Sequence, residues 1–415
     1  MTSTETSKFS QNRNFDSAQK SERISDTVRG FQDFTGDEAI KREKIREILV
    51  NNFELYGFEP AETPIIEQEE FVKGDNEYDE AVSDIFKLKD KGQRNLAMRY
   101  ELTFQLKRIA QNKKLPYKRY QIGSVFRDEP VSANRFRQFI QCDADTIGSS
   151  VKEEAEILAL TSRIMKELKI EAEIQVNSRK LINSAIKSLG IDNVEFVLRE
   201  LDKVEKQGED QVKSEMAKFI EKDKIVKLFK LLNNKLSFFK KYEGYKELKD
   251  LIDLCKVYKV DVTFKPALAR GLSYYTGTVF EAKTKEIKEN ICGGGNYLIN
   301  NTPSIGISFG LERLSQLAKI KIKNNKILII NINQDEKSIS LAEKMRNLGI
   351  NVIVYDKVSK GLEFANSQQI PKVIFIGSDE VKKKKFKLRD MKTGKEEMLG
   401  EKELIEQVKF PLHEK

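Results

Sequence analysis

The chain has 415 residues, a third of them charged, and carries a formal net charge of +9. This length predicts about two to three domains. No stretch approaches the roughly 20 consecutive apolar residues that a membrane-spanning helix needs, which excludes an integral membrane protein. The N-terminal segment lacks the apolar run of a secretory signal, and three widely spaced cysteines cannot form a disulfide framework. We therefore expect a cytoplasmic protein.

The chain contains a single histidine, His413, which stands close to its C-terminal end. A catalytic triad or a histidine general base is therefore not expected. The chemistry is left to arginines, carboxylates and backbone groups, a combination that suits reactions of phosphates, where positioning and charge neutralisation dominate. The basic balance also permits a polyanionic partner.

The N-terminal part begins with a segment that has few apolar residues. Residues 1–25 are rich in Ser, Thr, Asn and Gln and predict a flexible arm. The pattern Thr35–Glu38 predicts a capping box, followed by apolar residues at helical spacing up to Tyr56. From Phe58 to Ile66 the pattern is extended, and Pro64 within it favours a strand end.

Two strands and a set of helices are predicted next. Residues 117–126 and 138–147 have strand patterns and enclose a loop at 128–134. A capping signal then opens a helix over about 150–168. Residues of about 185–258 are rich in Lys and Glu, almost free of Pro, and carry helical apolar spacing, which indicates a helical insertion.

Strand patterns return at 278–282 and 304–309, and the second of these continues directly into a helix. Further on, short apolar runs begin at Lys326, Asn351 and Lys372, with helical segments between them. This alternation predicts a separate small α/β domain with a buried, largely parallel sheet.

A cluster of charged and polar residues surrounds the predicted loop at 128–134. In the second strand, Gln141, Asp143 and Asp145 alternate onto one face. Guanidiniums bind anions bidentately and a carboxylate holds an ammonium, so the cluster could bind a zwitterion together with a phosphate. From the residues alone, an antiparallel hairpin with a solvated face and cross-strand Arg–Asp pairs is the favoured alternative. The arginines of the cluster are Arg127, Arg135 and Arg137.

Two glycine-containing segments could also approach a ligand. In Arg270–Thr278, glycines flank a cation and two tyrosines, whose rings could wall a pocket. A hairpin turn with surface tyrosines is the alternative. In Cys292–Tyr297, three consecutive glycines allow close approach of the main chain to a ligand, but no P-loop lysine follows, and a flexible loop is the alternative.

Two further segments carry weaker signals. Within Ser304–Arg313, the arginine falls in the first turn of a helix, where backbone amides and a guanidinium could bind an anion. A salt bridge between Arg313 and Glu312 or a neighbouring residue is the alternative. Within Arg99–Thr103, Glu101 and a threonine hydroxyl could recognise an ammonium, although a plain helix start is the default.

Taken in order, these segments resemble the histidyl-tRNA synthetases, a family of class II aminoacyl-tRNA synthetases. The likeness runs from about residue 28 to the C-terminus and looks closer to archaeal and eukaryotic members at 99–103 and 138–145. The matching blocks are Arg29–Phe34 with Tyr56–Pro64, then Arg99–Thr103, Phe126–Asp145, Ala269–Gly277, Cys292–Gly295 and Gly306–Arg313.

This resemblance implies an α+β catalytic domain over 26–320, with an antiparallel six-stranded sheet flanked by helices and the helical insertion at about 185–258. It also implies a C-terminal α/β anticodon-binding domain over 326–415 and a homodimer formed through the first class motif. The implied reaction joins L-histidine to ATP as histidyl-adenylate and transfers histidine to the 3′ end of tRNA(His). Mg²⁺ is implied as well, without assigned ligands.

The resemblance also assigns individual residues. Arg127 would hold the ATP α-phosphate and the histidine carboxylate, and Arg270 would take the catalytic place beside the α-phosphate. Arg135 and Arg313 would bind the outer phosphates. The residues implied to contact histidine are Glu101, Thr103, Arg127, Gln141, Asp145, Arg270, Tyr274 and Tyr275.

The chain departs from the family pattern at three places. Many members have Asp where Ser273 stands, and Arg-Tyr-Asp usually follows the three glycines where this chain has Asn296–Leu298. The loop Pro130–Asn134 is compact. The departures bear on contacts around the adenine or imidazole pocket and on acceptor-stem contacts.

Two alternatives from other functional classes are a non-catalytic histidine-binding paralogue of the histidine-biosynthesis regulatory subunit type and an RNA-binding protein with a decayed active site. The regulatory type generally lacks the C-terminal domain and the catalytic arginine motifs, and both are present here. In the C-terminal domain, which carries a net charge of +4, the run Lys382–Lys385 could contact the tRNA backbone or form a solvated loop.

Overall fold

The computed structural model describes residues 26–74, 80–132, 135–270, 274–321 and 324–409. These residues divide into two compact units, the first ending at Ile320 and the second beginning at Lys321. The arm predicted over residues 1–25 lies outside the described residues, as does His413. Among the described helices, none combines the length and the apolar character that a membrane crossing requires.

The main sheet of the first unit has eight strands in the spatial order β1-β5-β6-β11-β10-β9-β7-β8. The six central strands pair antiparallel, as the resemblance implied. A short strand pairs in parallel at each edge, which makes the sheet mixed. The strands are β1 (Glu59–Pro60), β5 (Tyr117–Phe126), β6 (Gln138–Ile147), β7 (Glu173–Ser178), β8 (Val262–Phe264), β9 (Thr278–Lys283), β10 (Cys292–Ile299) and β11 (Thr302–Gly310).

The two faces of β6 differ in chemistry because successive side chains point to opposite sides of a strand. Cys142 and Ala144 are fully buried in the main apolar core. Asp143 and Asp145 point to the opposite face, where they line a cavity. The predicted strands at 117–126 and 138–147 are confirmed as β5 and β6.

Two long helices pack beside this sheet in the first unit. Helix Val151–Glu167 begins with the predicted capping box, in which Ser150 and Glu153 bond reciprocally. Helix Gly36–Leu55 also forms, but the predicted Thr35–Glu38 capping box is wrong, because Thr35 makes no side-chain cap bond. Glu38 instead accepts a hydrogen bond of 2.7 Å from the Ser315 hydroxyl, so tertiary contact replaces the local cap.

The segment predicted as a helical insertion consists of helices joined by short turns and loops. Its apolar spacing buries Ile225, Leu228 and Leu232 on one side of a helix. The helices are Arg179–Lys187, Val194–Asp202, Val204–Gln207, Glu209–Met216, Lys222–Leu232, the 3₁₀ helix Leu236–Lys241 and Tyr245–Val257.

A second, three-stranded sheet completes the first unit. It has the order β2-β4-β3, formed by β2 (Ile66–Gln68), β3 (Lys87–Lys89) and β4 (Asn95–Met98). The remaining helices are short: Glu69–Lys73, Glu80–Ser83, Leu106–Ile109 and Leu311–Leu317.

The second unit is an α/β layer around a five-stranded sheet in the order β13-β12-β14-β15-β16. The three predicted strands pair in parallel, whereas β15 and β16, which were not predicted, add an antiparallel edge. The elements are β12 (Ile327–Asn331), β13 (Val352–Tyr355), β14 (Lys372–Ile376), β15 (Lys385–Asp390) and β16 (Glu396–Gly400), with helices Asp335–Arg346, Val358–Ser367, Ser378–Lys383 and Glu401–Val408.

Candidate active site

A cavity of about 340 Å³ lies on the polar face of β6. It gathers segments that are widely separated in sequence, from the turn after β4 to the start of helix Leu311–Leu317. All ten residues that the resemblance assigned to histidine, ATP or catalysis line this cavity: Glu101, Thr103, Arg127, Arg135, Gln141, Asp145, Arg270, Tyr274, Tyr275 and Arg313.

One part of the cavity is built on a buried ion pair. The Arg119 guanidinium lies 2.8 Å from Asp145 Oδ2, and both side chains are almost completely buried. Tyr297 donates a hydrogen bond to Asp145 Oδ1. Gly306 on β11 leaves room for this carboxylate, because a Cβ there would lie 2.1 Å from Oδ1. The alternative of a hairpin with a solvated face is therefore wrong: a cross-strand Arg–Asp pair exists, but it is buried and is formed by Arg119 rather than by Arg127, Arg135 or Arg137.

Asp143 lines the cavity next to this pair. Its side chain is buried, and its Oδ1 atom has no hydrogen-bond partner. Burial and the negative charge of Asp145 raise the pKa of Asp143 to about 8, while Arg119 acts in the opposite direction. The sequence placed Asp143 on this face, in the cluster whose carboxylates could hold an ammonium, but the resemblance assigned it no role.

Tyrosine rings form one wall of the cavity. The ring centroids of Tyr274 and Tyr275 lie 4.8 Å apart, and Tyr274 contacts Tyr297 edge-on at 5.7 Å. The Tyr274 hydroxyl donates to Glu101 Oε2 at 3.4 Å. Burial, followed by the neighbouring Glu101 charge, raises the pKa of Tyr274 well above its usual value, so this hydroxyl stays protonated and can donate. The alternative of surface tyrosines on a turn is wrong at Tyr275, which is buried.

Four guanidiniums line another part of the cavity. Arg127 Nε donates to the Tyr100 carbonyl at 3.1 Å, and Arg135 Nε lies 2.5 Å from Glu129. Burial lowers the pKa of Arg313, and the positive charges of Arg127, Arg135 and Arg270 lower it further. Because each cation disfavours the others, an anion entering the cluster would be strongly stabilised.

Arg313 is held at the start of its helix by the main chain of a neighbouring segment. Its Nη1 atom donates to the Asn290 carbonyl at 2.8 Å and to Asn290 Oδ1 at 2.9 Å. Glu312 turns the other way, accepting from Arg42 Nη2 at 2.8 Å and from the Ile140 amide at 3.2 Å. The alternative of an Arg313–Glu312 salt bridge is therefore wrong.

Arg270 approaches the sheet over the glycine-rich strand. It has a positive φ of 47°, its Nη1 donates to the Phe280 carbonyl at 3.4 Å, and its guanidinium lies 5.7 Å from the Tyr275 ring centroid. A Cβ on Gly293 would lie only 1.2 Å from Arg270 Nη1. The three glycines belong to β10, between β9 and β11, so the alternative of a flexible loop is wrong.

The departure at Asn296 has a structural role beside the cavity. Its side chain accepts a hydrogen bond from the Thr278 amide at 2.7 Å and donates to Glu154 Oε1 at 3.0 Å. The backbone carbonyl of Asn296 accepts a hydrogen bond from the Thr276 amide at 2.9 Å. Asn296 thereby fixes the chain that follows the two tyrosines. Ser273 lies outside the described residues, as do 133–134 of the compact loop.

The structure adds lining residues that sequence reasoning missed. Tyr297 directly follows the glycine-rich segment, so its position could have been found from that motif. Glu281 and Asn290 bond to each other at 3.1 Å and carry no recognisable pattern in the sequence.

Two family models match this chain. Residues 30–314 match the family model described as "Histidyl-tRNA synthetase", and residues 326–410 match one described as "Anticodon binding domain". The chain belongs to the histidyl-tRNA synthetase family.

Relatives and solved structures agree across nearly the whole chain. It is 35% identical to histidine--tRNA ligase 1 of Bacillus cereus, covering 89% of this chain and 94% of that protein. It is 33% identical to histidine--tRNA ligase of Clostridium tetani, covering 92% and 97%. The crystal structure of histidyl-tRNA synthetase from Nostoc superposes with a TM-score of 0.81 at 26% identity, covering 92% and 98%.

A further neighbour is a Bacillus halodurans structure described as an ATP phosphoribosyltransferase regulatory subunit/histidyl-tRNA synthetase. It has a TM-score of 0.71 at 19% identity, covers 83% of this chain and 96% of that one, and shows the fold alone. The expected class II fold of the histidyl-tRNA synthetase family is confirmed. The relatives named here are bacterial, and the closer likeness to archaeal and eukaryotic members stays a prediction.

Proposed function

We propose that the chain activates L-histidine with ATP, forming histidyl-adenylate and pyrophosphate, and then transfers histidine to the 3′ end of tRNA(His). Membership of the histidyl-tRNA synthetase family supports this activity. The observation that carries it is the cavity, where a cluster of guanidiniums meets a pocket of carboxyls and tyrosines. The first group suits the phosphates of ATP and the second suits histidine.

In the proposed first step, the histidine carboxylate attacks the α-phosphorus of ATP in line with the departing pyrophosphate. Negative charge develops on the non-bridging oxygens, and Arg127 and Arg270 stabilise it as fixed cations. Arg127 also holds the reacting carboxylate, while Arg135 and Arg313 bind the outer phosphates. No protein nucleophile or histidine base is required, in agreement with a chain whose one histidine is His413.

Histidine selection is proposed to rest on polar contacts rather than on apolar fit. Glu101, Thr103 and Gln141 supply groups for the amino-acid backbone or ring, and Asp145 with the two tyrosines supplies the rest. A site built for hydrogen bonds rejects ligands that lack the matching groups, because its buried polar atoms are then left unpaired. Tyr274 and Tyr275 also exclude water from this part of the cavity.

Mg²⁺ is proposed to enter together with ATP. No group of three or more acidic, cysteine or histidine side chains suited to a metal occurs within the described part of the chain. This fits Mg²⁺, which in phosphate-transfer sites is held by one or two carboxylates plus the substrate phosphates. Glu129 and Glu281 line the cavity and are the proposed acidic ligands. When bound, the ion neutralises charge on the phosphates.

The domain boundaries and the partners belong to the same proposal. Residues 26–320, with the helical segment at about 185–258, form the catalytic domain, and residues 326–415 bind the anticodon of tRNA(His). We also propose a homodimer through the first class motif, whose edge strand β1 ends the main sheet. A cytoplasmic location is proposed, supported by three buried, unpaired cysteines.

ATP–pyrophosphate exchange with each of the twenty amino acids tests the proposal. Exchange supported by histidine alone, followed by charging of tRNA(His), is the expected result. The regulatory-subunit alternative predicts histidine binding without exchange, and a decayed site predicts neither. Size-exclusion chromatography with light scattering tests the dimer independently.

A further inference from the structure

We propose that Asp143 is an additional histidine-binding residue, whose Oδ1 atom accepts a hydrogen bond from the α-ammonium group of the amino acid. The inference rests on the proposed function and deepens it. None of the residues that the resemblance assigned to histidine is Asp143, so the assignment comes from this structure.

Asp143 faces the cavity with a carboxyl oxygen, Oδ1, that accepts no hydrogen bond from the described residues. The side chain is only 3% exposed, yet Oδ1 has no hydrogen-bond partner among the described residues. A buried carboxyl oxygen without a donor is costly unless a ligand supplies one. Its position on the polar face of β6, between Gln141 and Asp145, directs it into the cavity.

The side-chain donors around Asp143 leave its Oδ1 atom unpaired. Across β5, the Gln121 amide donates to Thr63 Oγ1 at 2.8 Å. Arg99 donates to the carbonyls of Ser124 and Thr63, both at 2.8 Å.

Arg119 uses its Nη2 atom for both Asp145 and the Leu102 carbonyl, and neither its Nε nor its Nη1 atom forms a hydrogen bond to Asp143 or to any other described residue. Across β11, Ser308 pairs with Asp143, and its hydrogen bond to the carboxyl lowers the pKa of Asp143 without removing the upward shift.

The local charge also favours an ammonium at this position. Three buried acids, Glu101, Asp143 and Asp145, come together here. Arg119 and Arg99 act on Asp143 as cations, yet Asp143 keeps its proton in the empty site. An ammonium group beside Oδ1 would supply a further positive charge as Asp143 ionises.

The order of groups along β6 indicates where each part of a bound histidine would lie. Alternate residues on one face of a strand are about 6.6–6.8 Å apart, so Gln141, Asp143 and Asp145 mark three successive levels. Next to Gln141, Phe139 stacks under the Arg127 guanidinium at 5.2 Å, which places the phosphate-binding arginines at that end. The reacting carboxylate of histidine belongs there, and its imidazole belongs toward Asp145. The ammonium, on the carbon between them, then lies level with Asp143.

Histidine binding should also change the protonation of Asp143, which can be measured separately from the affinity. Its pKa of about 8, caused by burial and by the charges of Asp145 and Glu101, means that the carboxyl of the empty site keeps its proton at pH 7. An arriving ammonium favours the ionised form, so histidine binding should release a proton below pH 8. The nearby acids Asp145 and Glu101 oppose the ionisation of Asp143, and Arg119 favours it.

The test is calorimetric titration of the full-length protein with L-histidine and with imidazole-4-propanoate, which lacks only the amino group. We expect Asp143→Asn to reduce the preference for histidine over the analogue by about 10- to 100-fold, with the affinity for the analogue nearly unchanged. Proton release, measured in buffers of different ionisation enthalpy, should disappear in this variant. Asp143→Ser should behave in the same way, and both should be checked for folding by circular dichroism.

A matched control is Glu200→Gln, another buried acid, which lies outside the cavity and should leave both affinities unchanged. Equal weakening of both ligands by Asp143→Asn would place the residue at the imidazole or in a purely structural role and would overturn the inference. Unchanged binding of both would also overturn it. If the wild-type protein bound neither compound, the proposed function itself would fail, which is a separate result.

Discussion

Arg119 and Asp145 form an ion pair of 2.8 Å in which neither side chain reaches solvent to a meaningful extent. The guanidinium also donates to the Leu102 carbonyl at 2.6 Å, and Tyr297 donates to the carboxylate. Taking two charges out of water is expensive, and a buried pair is tolerated only when good geometry and extra hydrogen bonds compensate. The pair therefore fixes the positions of β5, β6 and β10 around the pocket.

Arg119→Leu should destabilise the first unit by about 3–5 kcal/mol, because the variant leaves Asp145 charged and buried without its cation. Urea unfolding followed by circular dichroism measures the loss. The double variant Arg119→Leu with Asp145→Leu should recover most of the stability while histidine binding stays abolished. A single variant as stable as the wild type would show that the pair carries no structural role.

Arg270→Ala should lower ATP–pyrophosphate exchange by about 10²–10³-fold, by analogy with the loss of one oxyanion-stabilising donor. The guanidinium is aimed at the site where we place the α-phosphate. Arg94→Ala is a suitable control, since this side chain is 79% exposed and lies outside the cavity. Near-normal exchange in the Arg270 variant would refute the catalytic role.

Gly293→Ala should cause a comparable loss of exchange without removing any charged group. The new methyl would lie 1.2 Å from Arg270 Nη1, so the guanidinium must leave its place over β10. The variant should retain its fold, because the far end of a flexible side chain can move. Gly92→Ala serves as the control, since its nearest neighbour would be 3.4 Å away in an exposed turn. Full activity of Gly293→Ala would mean that this position of Arg270 is not the productive one.

Local pattern was sufficient for much of the fold. β5 and β6 have the predicted bounds, and the Ser150–Glu153 capping box opens its helix because those signals act over a few residues. Thr35 failed as a cap, since the acid expected to complete the box is bound to Ser315, almost three hundred residues away. β15 carries the alternation of charged and apolar residues that is typical of a half-buried strand, so this signal was overlooked. β16 lacks such alternation and could not be recognised in this way.

In the candidate site, too, residues within recognisable motifs could be predicted, whereas residues whose role depends on distant neighbours could not. Motif resemblance named ten residues, and the structure places all ten around one cavity. Asp143 could not be singled out from the other residues of its cluster by sequence, because its significance depends on what surrounds it: Glu101 lies nearby and Oδ1 is unpaired. Glu154 was likewise unrecognised, although it binds Asn296 and Thr278 beside the tyrosines.

Asp143 should make the stability of the ligand-free protein depend on pH. Its folded-state pKa of about 8 lies above the unfolded value, so the folded state holds the extra proton between roughly pH 4 and pH 8. The stabilisation that Asp143 contributes is therefore fully present below about pH 4 and is lost as the pH rises through about 8. Thermal unfolding between pH 6 and 9 measures the slope, which Asp143→Asn should flatten. An unchanged slope in that variant would show that another group is responsible.

The run Lys382–Lys385 should contribute to tRNA binding through phosphate contacts. The structure places it at the end of helix Ser378–Lys383 and the start of β15, with all four side chains exposed, rather than in a loop. Each phosphate contact releases counterions, so changing all four lysines to Gln should flatten the salt dependence of tRNA(His) binding by about 0.7–0.9 per lost contact in the log–log slope. Filter binding between 50 and 200 mM salt measures it.

The matched control for this run changes four exposed lysines of the first unit to Gln: Lys44, Lys166, Lys227 and Lys256. Their replacement lowers the net charge of the protein but removes no charge from the second unit. If both sets of substitutions lowered the slope alike, the lysine run would act only through overall charge. If neither changed it, the run would be a solvated surface, and the tRNA contacts of the second unit would have to lie on other residues.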